Sequence, residues 1–121
     1  MARMSKTTIS LTQPKIAARY EARARIVKAL GHPTRLFLVD QLAEADRCVC
    51  DLTDLVGADT STVSKHLSIL RGAGLVRDEK RGNMVFYSLS MPCVLDFLSC
   101  AEKVSCQTAA EQAKVLVDCR R

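Results

Sequence analysis

Cys48 and Cys50 flank a single valine in the stretch RCVCDLTDL, residues 47–55, directly before a segment that reads as a short helix. Two soft, oxidisable thiols at that spacing suit one of three roles: small buried side chains, a disulfide half-site, or half of a metal site. A thiol at a helix start feels the helix dipole and free N–H groups, which favour thiolate; Arg47 adds positive charge and Asp51 opposes it. Cys93, Cys100, Cys106 and Cys119 bring the cysteines to six. The first 13 residues lack the apolar core of a signal peptide, and no apolar run approaches the roughly 20 residues of a membrane span. A cytoplasmic chain with no membrane partner is expected. Thiols stay reduced there, so six cysteines point to metal or redox chemistry before a disulfide framework.

A second group of residues could read nucleic acid. With Val63 at zero and about 100° per residue, Leu67 and Leu70 fall within roughly 40° of it and must pack inward. Ser61, Lys65 and Ser68 then lie about opposite, with Thr62 to one side and Ser64 to the other. A solvated helix face usually carries Glu and Lys in i,i+4 pairs, but no acidic residue occurs between Thr60 and Arg71. Short hydroxyls let a helix approach the major groove closely, and Lys65 can meet a base edge or a phosphate. His66 lies about 60° from the apolar stripe, which suits packing or a phosphate bond better than metal ligation. Lys80, Arg81 and Asn83 fall near a hairpin tip, where backbone or minor-groove contact is expected.

These groups need a frame, and the chain supplies a small helical one. Its 121 residues make one domain, and 48% hydrophobic with 26% charged residues is ordinary for a globular chain. Aromatics are only 4%, so the core must be built from Leu, Val, Ile and Ala. The net charge of +5 and pI near 9.0 fit a polyanionic partner. A flexible segment is expected over residues 1–13, a folded domain over 14–105, and a tail over 106–121 with apolar residues compatible with a further helix. Within the domain, residues 15–30 place Ile16, Tyr20, Ala24 and Val27 on one helix face. Gly31-His32-Pro33 stops that helix, and Pro33 opens the next, with Leu36, Val39 and Leu42 inward. A short helix over about 51–56 ends at Gly57. Asp59 caps a fourth helix over 60–71, and β-rich segments at 75–78 and 85–89 flank Gly82-Asn83. Pro92 opens a last helix through about residue 104. The fold class expected is mainly α with a β-hairpin: a helix-turn-helix followed by a wing.

The stretch CVCDLTDLVGADTSTVSKHLSILRGAGLVRDEKRGNMVFYSL, residues 48–89, preceded by GHPTRL, resembles the ArsR/SmtB family of bacterial metal-responsive repressors. The resemblance covers about residues 29–89, and the last helix more loosely. It implies a homodimeric winged helix-turn-helix repressor, not an enzyme, whose first and last helices form the dimer interface and whose inducer lowers affinity for operator double-stranded DNA. It also implies DNA contact through Ser61, Thr62, Ser64, Lys65 and His66, with Arg81 and Asn83 in the wing. Apolar stripes on the first and last helices, too large for so small a domain to cover, agree with a dimer.

The CVCDL box resembles that of the arsenite-responsive members, which carry a third cysteine three positions after the second. Here that position is Thr53. Trivalent arsenic or antimony prefers three thiolates, a lone pair taking the fourth direction, so a hydroxyl is a poor substitute. The missing sulfur must come from elsewhere. Cys93 and Cys100, seven apart, share a face of the last helix; Cys106 is about 240° round from Cys100, and Cys119 lies near the chain end. Cys48 and Cys50 with Cys93 or Cys100, from either protomer, are therefore the expected ligands for As(III) or Sb(III) as inducer, with no organic cofactor. Cadmium or zinc through all four thiolates, and a dithiol–disulfide switch sensing oxidants or reactive sulfur, stay open. Family sites built from histidines and carboxylates on the last helix are absent, since the only histidines are His32 and His66. A thiol-rich carrier or redox enzyme finds no support: Cys-x-Cys is not Cys-x-x-Cys.

Overall fold

The computed structural model describes residues 9–112. The tail expectation beyond Gln112, including Cys119, lies outside the described residues, as do the first eight residues of the N-terminal segment. The element order is α1 (Pro14–Leu30), α2 (Pro33–Glu44), β1 (Arg47–Cys48), α3 (Val49–Val56), α4 (Thr60–Gly72), β2 (Val76–Arg81), β3 (Met84–Leu89) and α5 (Val94–Gln112). No helix among the described residues is long and apolar enough to cross a membrane.

Local chemistry sets most boundaries. Pro14 and Pro33 occupy first turns, where a missing N–H costs nothing. His32 caps α2, its Nδ1 accepting from the Thr34 N–H at 3.1 Å. Asp59 caps α4, its carboxylate accepting from the Thr62 N–H at 2.9 Å. Those bonds hold the Asp59 carboxyl below its usual range, the Thr62 contacts contributing most. Gly57 ends α3 in the left-handed region at φ 80°, a conformation that favours glycine. Only Gly57, Ala58 and Asp59 separate α3 from α4, which is the helix-turn-helix.

The helices and sheet close over one core in which Leu38, Val39, Leu52, Val63, Leu67 and Leu70 are fully buried. On α2, Val39 and Leu42 point inward as expected, Leu36 is only partly covered, and Leu38 joins the core. The stripe on α4 faces inward as the periodicity requires.

Two expectations are corrected. The wing is not a bare hairpin: β1 adds a third strand in the order β1-β3-β2, with Cys48 opposite Phe86 and Arg47 opposite Tyr87. Two residues are too few to show strand periodicity, so only tertiary pairing reveals β1. The last helix does not end near residue 104 but runs unbroken to Gln112, so the boundary set at 105/106 falls inside α5. No glycine or proline interrupts that span to stop it. On α1, Tyr20 and Val27 are 46% and 55% exposed while Ala29 and Leu30 are buried, in line with a stripe that the protomer leaves uncovered.

Candidate functional site

The strand–helix junction gathers the first two thiols. Cys48 ends β1 and caps α3, its side chain 2% exposed and its Sγ accepting from the Asp51 N–H at 3.4 Å. Cys50, the second residue of α3, is exposed, and the two sulfurs stand 2.6 Å apart. Asp51 completes a group whose ligand atoms all lie within 4.8 Å of one another, the arrangement a single ion could bridge.

Proton affinity here departs from the helix-terminus argument. The Cys50 thiol is pushed up, first by its hydrogen bond with Cys48, then by desolvation and by the charges of Cys48 and Asp51; the Asp51 backbone bond opposes this. Two adjacent sulfurs hold a proton between them more readily than one, and that outweighs the free N–H groups. Arg47 does not relieve it. Its guanidinium turns onto α2, donating to the Gln41 carbonyl at 3.1 Å and pairing with Glu44 at 3.1 Å.

Neither Cys93 nor Cys100 joins this group within one protomer. Cys93 lies in the turn before α5 and Cys100 on α5, and both are exposed free thiols. Among the described residues, α5 joins the main core cluster through its first turns, at Val94, Leu95 and Leu98. Thr53 is a poor substitute, since its hydroxyl is a hard oxygen ligand beside soft sulfur; it donates to the Val49 carbonyl at 2.8 Å.

The polar face of α4 is displayed as the spacing predicts. Ser61, Thr62, Lys65 and Ser68 are exposed and Ser64 is half-buried, while Val63, Leu67 and Leu70 are each 0% exposed. His66 takes a packed position: its ring centroid is 4.4 Å from that of His32, and its Nδ1 is 3.1 Å from Arg35 Nη1. Burial, followed by His32 and Arg35, lowers its pKa from the ordinary 6.5. Arg35 is the residue that sequence reading missed. The motif GHPTRL contains it, but nothing in its spacing connects it to a residue 31 positions away.

In the wing, Asn83 is exposed beside Gly82, whose φ of 64° makes the turn. Arg81 is tied into the protein: it pairs with Asp46 at 2.9 Å and Glu79 at 3.0 Å, and lies 4.6 Å over the Phe86 ring. Its pKa rises accordingly, chiefly through the Asp46 bond. A phosphate would have to compete with two carboxylates for it.

Comparison with known proteins agrees with this geometry. Residues 32–78 match the family described as "Bacterial regulatory protein, arsR family". An uncharacterized HTH-type transcriptional regulator of Mycobacterium tuberculosis is 35% identical over 102 residues, 84% of this chain and 90% of that protein. The HTH-type transcriptional repressor SmtB of the same species is 40% identical over 70 residues, 58% of this chain and 52% of the relative. Among solved structures, NolR from Sinorhizobium fredii superposes with a TM-score of 0.71 at 28% identity, covering 81% of this chain and 95% of that one. These are regulators of transcription rather than enzymes, and the chain belongs to the ArsR/SmtB family of winged helix-turn-helix DNA-binding regulators.

Proposed function

We propose that this protein is a homodimeric repressor that holds operator DNA through α4 and the wing and lets go when a thiophilic inducer binds Cys48 and Cys50. Trivalent arsenic or antimony is the inducer that fits best. The observation carrying this reading is the grouping of Cys48, Cys50 and Asp51, their ligand atoms all within 4.8 Å, at the cap of α3, a helix that turns through three residues into α4. Soft sulfur matches a soft centre, and a third sulfur from Cys93 or Cys100 of either protomer would complete the pyramid. Both are exposed free thiols and so accessible to a partner chain. A repressor role is supported by the likeness to SmtB.

Dimerisation is supported by apolar surface that the protomer leaves uncovered. Tyr20 and Val27 on α1, and Phe97 and Val104 on α5, are all about half-exposed, and a groove of about 920 Å³ runs between α1, α2 and α5, lined by Val27, Leu30, Leu36, Phe97 and Leu98. Binding an ion across α3 and a residue on α5 would couple inducer to the separation of two α4 helices. A coupling of roughly 1–3 kcal/mol suffices to release DNA.

Titration with arsenite in the presence of reductant tests the reading. Affinity for duplex DNA from upstream of the protein's own gene should fall as arsenite is added; unchanged affinity would refute the metalloid inducer. A second reading uses the free thiols Cys48, Cys50, Cys93 and Cys100: an oxidant or persulfide would join a thiol of the α3 junction to one of the last-helix segment as a disulfide, which reductant reverses. Cadmium or zinc bound by four thiolates predicts release by those ions instead.

A further inference from the structure

We propose that Arg35 is a positioning residue for DNA reading: it pins His66, and with it the rotation of α4, to the carbonyl end of α1. The proposal rests on α4 being the reading helix. Arg35 sits in the first turn of α2 and is half-buried. Its Nε donates to the Ala29 carbonyl at 2.6 Å, its Nη2 donates to the Lys28 carbonyl at 3.4 Å, and its Nη1 lies 3.1 Å from His66 Nδ1. A guanidinium has donors only, so the His66 Nδ1 accepts and the ring proton resides on Nε2. The His32 ring lies against it, centroids 4.4 Å apart, and is itself fixed because its Nδ1 caps α2.

The two carbonyls belong to the last turn of α1, where the dipole favours a cation; the Lys28 carbonyl also accepts from the Gly31 N–H at 3.1 Å. Arg35 therefore joins three helices through one planar fork. Val63, Leu67 and Leu70 set how deeply α4 sits, but aliphatic contacts are non-directional and permit a small roll. A hydrogen bond to one named atom does not. His66 stands between the buried stripe and the exposed hydroxyls, so holding its ring fixes where Ser61, Thr62, Lys65 and Ser68 point. Base-edge contacts depend on that direction, whereas phosphate contacts depend mainly on charge. Lysine cannot replace the fork, because a single ammonium does not span acceptors on two other helices.

The test compares Arg35→Lys and Arg35→Gln with the unaltered protein on duplex DNA from upstream of its own gene and on a random duplex of equal length. Both variants should lose about tenfold on the specific duplex, while affinity for the random duplex stays within about twofold. The salt slope should not change, because Arg35 donates to carbonyls and a ring rather than to phosphate. Equal losses on both duplexes, a slope reduced by about one phosphate, or no loss at all would each overturn the proposal. Thr62→Ala and Ser64→Ala serve as companions. If they leave specific affinity untouched, α4 is not the reading helix and the proposal fails with that reading; if they lower it while Arg35→Lys keeps the specific-to-random ratio, the Arg35 role alone fails.

Discussion

Helices α4 and α5 both carry apolar residues at helical spacing, yet the protomer treats them oppositely. On α4, Val63, Leu67 and Leu70 are each 0% exposed and pack against α2, α3 and the wing. On α5, Phe97 is 51% and Val104 58% exposed, and among the described residues it is the first turns that join the core cluster. The first helix is fixed within one chain by burial, an Asp59 cap and the Arg35–His66 bond. The second has its apolar face still to cover. Periodicity states that a stripe must be buried; it does not state whether the partner belongs to the same chain.

The largest effect should separate these two helices. Leu67→Ala removes a fully buried anchor and should cost about 2–5 kcal/mol in denaturant unfolding, with Val104→Ala far below it. Comparable losses at both positions would erase the contrast. Next, Phe97→Glu places a charge on the uncovered face of α5 and should shift the protein from dimer to monomer in analytical ultracentrifugation. A dimer surviving that change would mean α5 is covered by something else.

The thiols sharpen the same contrast, since one pair lies at the well-packed α3 junction and the other on the outlying segment. Cys50→Ser should reduce the ratio of operator affinities without and with arsenite to near unity, from a value of about 5–150-fold. Cys93→Ser and Cys100→Ser then ask which distant sulfur completes the site. One of them should weaken arsenite binding, measured by competition under reductant, and the other should not.

A smaller effect concerns pH. His66 is held neutral, its folded pKa below the ordinary 6.5 because of burial, His32 and Arg35. Its neutral form contributes stability that is fully present above the unfolded value and is lost as pH falls through the folded one. Unfolding midpoints should therefore drop as pH is lowered from 7.5 towards 5, and His66→Asn should flatten that part of the profile. Smallest of all, Asp78→Asn removes the 2.7 Å pair with Arg71 at the end of α4; both partners are substantially exposed, and the change should cost under about 1 kcal/mol.

What could be read directly from the chain was local. The proline starts, the Asp59 cap, the Gly57 stop and the inward stripe of α4 follow from contacts spanning a few residues. The nearness of Cys48 and Cys50 is of this kind too, because an i,i+2 spacing at a helix cap leaves the sulfurs few other places. The sequence also puts Thr53 where a third α3 thiol would stand, and its hydroxyl donates to the Val49 carbonyl. The tertiary structure decided what depends on elements far apart in the chain. It paired β1 with β3, which no two-residue strand announces, and it drew Arg81 onto Asp46 across 35 positions. It carried Arg35 to His66 across 31, and kept Cys93 and Cys100 away from the first two thiols. Such contacts are set by how helices and strands pack, and packing is a property of the whole core rather than of any short stretch.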